Sequence, residues 1–198
     1  MSYPDRQTAE HELLLGGRLN PGKWIEHSQN AALVCERIAC RAGMDADKAY
    51  VLGLLHDIGR RIGFCGEKHT YAGYEYALSK GWDDVARVSL THSHLFKDAA
   101  LGVSEYDGTA EEWAFIKDYI AKIELNDYDL LVQLGDALGA ADGICIMEKR
   151  FVDVALRYGV FPGMLEKWRR FFEIKEYFDK KCGCSIYSLL PEVKDNLG

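Results

Sequence analysis

Apolar residues along this chain recur every three or four positions and nowhere sustain a single-residue alternation, which is the pattern of helices rather than strands. Trp24, His27, Ala31, Val34 and Ile38 fall on one such stripe. Asn20-Pro21 reads as an N-cap followed by proline at the first helical position, so a helix is expected over 21–43. Asp45 or Asp47 caps the next, whose stripe is Ala49, Leu52, Gly53 and His56, stopped by Gly59 and Gly63. Residues 59–67 read as a loop, 69–80 as a helix, and "GWDD" as a break before Val85, Val88, Ser89 and His92 share a face. Residues 95–108, with Gly102 and Gly108, read as a loop. Thr109 and Glu112 stand at capping-box spacing for a helix to about residue 124. Asp127 starts another, with Asp129, Val132, Gln133, Asp136 and Ala140 on one face. Two or three amphipathic helices are expected over 148–198, "FPGMLEKWRRFFEIKEYFDKKCG" being the clearest. The fold class this predicts is all-α.

A chain of 198 residues, 48% hydrophobic, has apolar material for one sizeable core, so one domain is expected over 1–198. Its net charge of −7 excludes a nucleic-acid-coating surface, although an anionic small molecule is compatible with a cation held locally. No stretch approaches the roughly 18 uninterrupted apolar residues of a membrane span. The start "MSYPDRQTAEHELLLGG" lacks the basic and apolar parts of an export signal. The expected location is the cytoplasm, with neither membrane nor nucleic acid as a partner. Scattered cysteines suit reduced thiols packed as small hydrophobes, and "CGC" at 182–184 reads as a helix-ending turn centred on Gly183.

Against this background four inward positions stand out: His27, His56, Asp57 and Asp136, at the inner faces or ends of amphipathic helices. One histidine on an apolar stripe is ordinarily a core residue bonded to backbone. Several of them, joined by carboxylates and without thiolates, suit a first-row divalent cation with open coordination positions.

The order of these motifs resembles that of the HD-domain metal-dependent phosphohydrolases: "WIEHSQNAALVCERIA" carries the first histidine, His27; "LGLLHDIG" the His56-Asp57 doublet; and "QLGDALGAADG" the last aspartate, Asp136. The resemblance covers about residues 22–142. It implies a helical bundle with a C-terminal helical extension over about 148–198. It also implies one or two divalent ions (Fe, Mn, Co, Zn or Mg) and hydrolysis of a phosphoester or phosphoanhydride by metal-activated water.

"EKHTYAGYEYAL" and "VSLTHSHLF" look like the intermediate histidines of a two-metal subgroup that includes bacterial HD-type diadenosine tetraphosphate hydrolases. By that resemblance His69 and His92 complete a second site, Asp57 bridges both ions, and a nucleotide is the substrate class. Catalytic roles then fall to Asp57, Arg60 and His94, with Lys68 a further candidate proton source. Arg60 reads equally as a phosphate clamp or as an exposed charge after a helix end, and Arg61 as the latter. His94 lies opposite His92 on an ideal helix, which makes it a substrate contact or a reserve ligand. His11 reads as a surface or packing residue.

Two other functions stay open on the same ligands: a di-iron oxygenase, and a regulatory protein that binds metal or nucleotide without turnover. The C-terminal aromatics, among them Phe151, Phe161, Trp168 and Phe171, read mostly as helix packing, with a lid or a homodimer face as alternatives.

Overall fold

The computed structural model describes residues 2–101, 105–160 and 162–196, so Gly102 and Phe161 lie outside the described residues. Among these it is all-α, as the periodicity predicts. The helices are α1 (Arg6–Leu19), α2 (Trp24–Arg41), α3 (Ala46–Leu55), α4 (Lys68–Ser79), α5 (Asp83–Thr91), α6 (Ala110–Lys122), α7 (Asp127–Leu138), α8 (Met147–Tyr158) and α9 (Met164–Cys182). A two-residue antiparallel ladder, β1 (Gly139–Ala140) with β2 (Gly143–Ile144), joins α7 to α8. Ala140 therefore leaves the α7 stripe on which periodicity places it, because the helix stops at Leu138. No described helix is long and apolar enough to cross a membrane.

α3 is the most apolar of the helices, and Ala49 through Leu55 are all buried rather than only one stripe of them. A helix that is apolar all round must be surrounded. α1, α2, α5 and α7 pack against it. Ala31, Ala32 and Cys35 put small side chains on the buried face of α2, and Ala39 and Ile38 continue the same face. Asp45 opens α3, its carboxylate accepting the Lys48 N–H at 3.0 Å.

Asn20 corrects one expectation. It does not open a helix; its N–H closes α1 on the Gly16 carbonyl at 3.0 Å, and α2 begins at Trp24. Its amide also donates to the Arg60 carbonyl at 2.7 Å, tying this turn to the segment after α3. Asn suits either end of a helix, and the helix that precedes it decides which. A second correction concerns 59–67, where Ile58–Ile62 form a 3₁₀ helix before the turn. Other local signals translate directly. Thr109 and Glu112 form the capping box of α6, and Gly183, at φ 69°, ends α9 at Cys182. All six cysteines are free.

The start of α7 is locked to α5. Asp129 is fully buried and accepts from Arg87 at 2.6–2.9 Å, from the Thr91 hydroxyl at 2.8 Å and from the Asn126 N–H at 2.7 Å. One turn on, the Gln133 amide donates to the Thr91 and His94 carbonyls, capping the end of α5. These bonds fix the end of one helix against the side of another. Asp129→Ala leaves the Arg87 charge and the Thr91 hydroxyl without their acceptor. It is expected to lower stability by about 3–5 kcal/mol, seen as a fall in the urea midpoint at unchanged helical content.

Candidate metal centre

Helix ends carry unpaired backbone carbonyls, and side chains near them can converge on one point. α2 brings His27 in its first turn, and α3 passes through its cap residue His56 to Asp57. α4 brings His69 as its second residue, α5 ends on its cap residue His92, and α7 brings Asp136 in its last turns. His56, Asp57, His69 and His92 are buried, and His27 and Asp136 are half-buried. The structure thus brings together all six candidate ligands.

The tautomers follow from the backbone. Nδ1 of His27 faces the Gly139 carbonyl, that of His56 the Gly53 carbonyl at 2.7 Å, that of His69 the Gly66 carbonyl, and that of His92 the Val88 carbonyl at 3.0 Å. A carbonyl only accepts, so Nδ1 carries the proton and each neutral ring presents a bare Nε2. These Nε2 atoms meet in pairs, His27 with His56 at 3.2 Å and His69 with His92 at 3.1 Å. Lone pairs at that separation repel unless a positive charge is shared between them.

Asp57 stands between the pairs. Its Oδ1 is 3.0 Å from His69 Nε2 and 3.6 Å from His92 Nε2, while its Oδ2 is 3.8 Å from His27 Nε2 and 3.9 Å from His56 Nε2. Asp136 Oδ1 joins the first pair, 3.1 Å from His27 Nε2 and 3.9 Å from His56 Nε2. Asp57 Oδ1 is buried without a hydrogen bond.

Among the described residues the donors fall into two groups sharing Asp57: His27, His56, Asp57 and Asp57, His69, His92. Neighbouring donors around an ion with bonds of about 2.1 Å stand roughly 3.0–3.4 Å apart, so separations of this order fit one divalent cation in each group.

Electrostatics give an anionic pocket whose rings differ: burial lowers His56, whereas for His27 the Asp136 and Asp57 carboxylates outweigh burial and raise it above an ordinary histidine. Burial raises the Asp57 carboxyl, but Arg60 and His69 outweigh it and hold it well below the usual carboxylate range. Burial likewise opposes ionisation of Asp136, and His27 overcomes it, leaving a lowered value. Burial, with His56 and His69 nearby, holds His92 far below an ordinary histidine.

Two close approaches position the rings. A Cβ on Gly139 would meet the Ala31 nitrogen at 2.5 Å, so only glycine lets the end of α7 come near enough for its carbonyl to reach His27. A Cβ on Gly59 would lie 1.9 Å from the His69 carbonyl oxygen and 2.4 Å from the Gly73 nitrogen. Backbone cannot yield as a side chain does, so Gly59→Ala pushes α4, and His69 with it, away from Asp57. The expected outcome is a stability loss of about 1–3 kcal/mol or more by thermal unfolding, with weakened metal retention.

The remaining candidates separate. Arg60 reaches the centre, its Nε donating to Asp57 Oδ2 at 2.6 Å, and it lines a cleft of about 550 Å³ together with His27, Asp57 and Asp136. Arg61 turns the other way, onto Glu12 and the Tyr76 ring, and His11 is exposed. Lys68 opens α4 and is not among the residues lining the cleft. His94 is buried outside both groups. Its Nδ1 faces the Ala99 carbonyl at 3.1 Å, its Nε2 is without a hydrogen bond, and burial pushes it down to about 4.

Two basic residues that periodicity left unremarked also border the site: Arg150 of α8, at the cleft, and Lys167 of α9, in an adjoining hollow that Asp136 also walls. The signal for Lys167 was a charge at an apolar position of its helix. Among the described C-terminal aromatics Phe151 stacks on Trp168 at 5.4 Å and Phe171 and Phe178 are buried, whereas Phe172 and Tyr177 are exposed.

The family model described as HD domain matches residues 24–141, a span that includes all six donors and ends before α8. A curated relative, Ribonuclease Y of Mesoplasma florum, is 37% identical over 82 residues, covering 39% of this chain. The match spans 16% of that protein's own length. No solved structure matches the chain.

Proposed function

Because the chain belongs to the HD-domain family, we propose that it is a metal-dependent phosphohydrolase. In this reading it holds two divalent cations and cleaves a phosphoester or phosphoanhydride of a small phosphorylated molecule, with nucleotides as the substrate class. The observation that carries the proposal is the meeting of four bare Nε2 atoms in two close pairs on either side of Asp57. His27, His56, Asp57 and Asp136 would hold one ion, and Asp57, His69 and His92 the other. Such cations, when bound, supply Lewis-acid polarisation of a phosphoryl oxygen and acidify water.

The chain's own groups do the rest. Backbone carbonyls at Gly139, Gly53, Gly66 and Val88 fix each imidazole by its Nδ1 proton, so the rings do not turn when the centre is loaded. Asp57 supplies charge to both sides, and its bond orients Arg60. The Arg60 guanidinium faces the cleft and is shaped to pair with phosphoryl oxygens. His94, held neutral by burial, has an unused Nε2 but lies outside the cleft lining, and Asp57 keeps the Arg60 guanidinium protonated, so proton delivery to the leaving group falls to solvent in the cleft.

Ribonuclease Y is by name an enzyme of phosphodiester cleavage, the same reaction class. The net charge of −7 favours a small substrate over a polymer for this chain.

The test is a screen of nucleotides and phosphoesters with Mn, Fe, Co and Mg, reading released phosphate. Metal-dependent release supports the proposal; oxygen consumption with no hydrolysis would replace it with the oxygenase. His69→Ala is expected to lower the metal content from two ions per chain to one by elemental analysis. An unchanged content would reject the second site.

A further inference from the structure

α9 turns Met164, Lys167, Phe171, Ile174, Phe178 and Cys182 to the protein interior, at the three-and-four spacing of a core-facing helix. Five of these are buried hydrophobics, and Lys167, half-buried, is the one charge on that face. Lysine at such a position costs desolvation that methionine or leucine would not, so its ammonium calls for an anion. Among the described residues that ammonium makes no hydrogen bond or ion pair, although the Glu67 and Asp136 carboxylates lie near enough to act on it.

Lys167 opens into a hollow of about 160 Å³ walled also by Asp136, Arg150, Phe151 and Trp168. Asp136 and Arg150 wall the larger cleft as well, so the two spaces adjoin at a donor of the first metal group. The hollow is smaller than the roughly 300 Å³ of a whole-ligand pocket and suits one group of a substrate whose remainder occupies the cleft.

We propose that Lys167, with Arg150, forms an anion subsite beside the metal centre that holds a phosphate group of the substrate. The subsite rests on the phosphohydrolase reading and adds to it, because α8 and α9 lie beyond the family match. The chain would thus supply part of its substrate recognition from outside the HD domain. The apolar walls limit hydration of the bound phosphate and strengthen the charge pairing.

Calorimetric titration of the manganese-loaded full chain with inorganic phosphate tests this. Lys167→Met is expected to weaken phosphate binding about ten- to hundredfold, the loss of one charged hydrogen-bonded pair, with unchanged metal content. Lys167→Arg should keep most of the affinity. Methionine suits the apolar stripe, so the thermal midpoint should not fall. Wild-type phosphate affinity in Lys167→Met would overturn the subsite and leave the metal centre standing. Parallel loss of metal and phosphate would make the lysine a support for Asp136 and also overturn it. If the wild type takes up no manganese, the metal reading fails. The same titration on the metal-free chain then decides the subsite: a deficit in Lys167→Met supports it, and equal affinity or no binding overturns it.

Discussion

Replacing Asp57 with asparagine is expected to strip the protein of metal and of phosphohydrolase activity, and replacing His56 with alanine to empty the first donor group and abolish that activity, while the helical far-UV signal stays intact in both. His56 is fully buried at the end of α3, and its Nε2 faces His27 Nε2 across 3.2 Å. Alanine removes one donor of the first group and relieves that repulsion. Asp57 is the more severe case, since both groups draw on it. Asparagine keeps its shape and removes its charge, so both ions lose their shared counter-ion. Loss of a direct ligand should exceed the roughly 10- to 100-fold affinity cost of disturbing groups behind the ligands. Elemental analysis is expected to read metal near zero in Asp57→Asn and no more than one ion per chain in His56→Ala, and two ions per chain in either variant would reject the ligand assignment.

Chelation should act on stability as strongly as on activity. The centre joins five helices whose inner ends otherwise set like lone pairs against one another, so any ion bound there is linked to folding. At a thousandfold excess over its dissociation constant, one ion adds about 4 kcal/mol, which for a chain of this size corresponds to roughly 8–16 °C in midpoint. Thermal unfolding with and without excess EDTA should show a shift of that order, restored by added manganese. Asp57→Asn should show no such shift, because it has no ion to lose. A midpoint indifferent to chelator in the wild-type chain would mean that the histidine pairs are held together by protons alone.

Much of this is legible before any coordinates, and the exceptions have physical causes. Thr109 with Glu112, Asp45, and Gly183 after Cys182 are local signals that need only their own helix ends, and each forms the cap or stop its sequence predicts. The inward placement of His27, His56 and Asp136 follows from stripes a single helix defines. His92 shares a face with Val85, Val88 and Ser89, but reading it and His69 as ligands of a second site needed the family resemblance.

Asn20 was ambiguous because its side chain serves either terminus, and only α1 behind it settles the matter. What no stripe could reveal is the tautomer of each ring, which depends on carbonyls as distant as Gly139 from His27. Lys167 was hidden for the opposite reason. A lysine in an amphipathic helix is ordinarily assigned to the wet face, and its half-buried position on the apolar stripe becomes visible only when the stripe is traced residue by residue.

The claim on which the rest depends is that four unprotonated imidazole nitrogens and the Asp57 carboxylate are built to share positive charge from bound ions. Titration of the metal-free full chain with manganese, followed by calorimetry at neutral pH, tests it most directly. Two ions per chain, falling to none in Asp57→Asn, is the predicted result. No uptake by the wild type at millimolar manganese would contradict it.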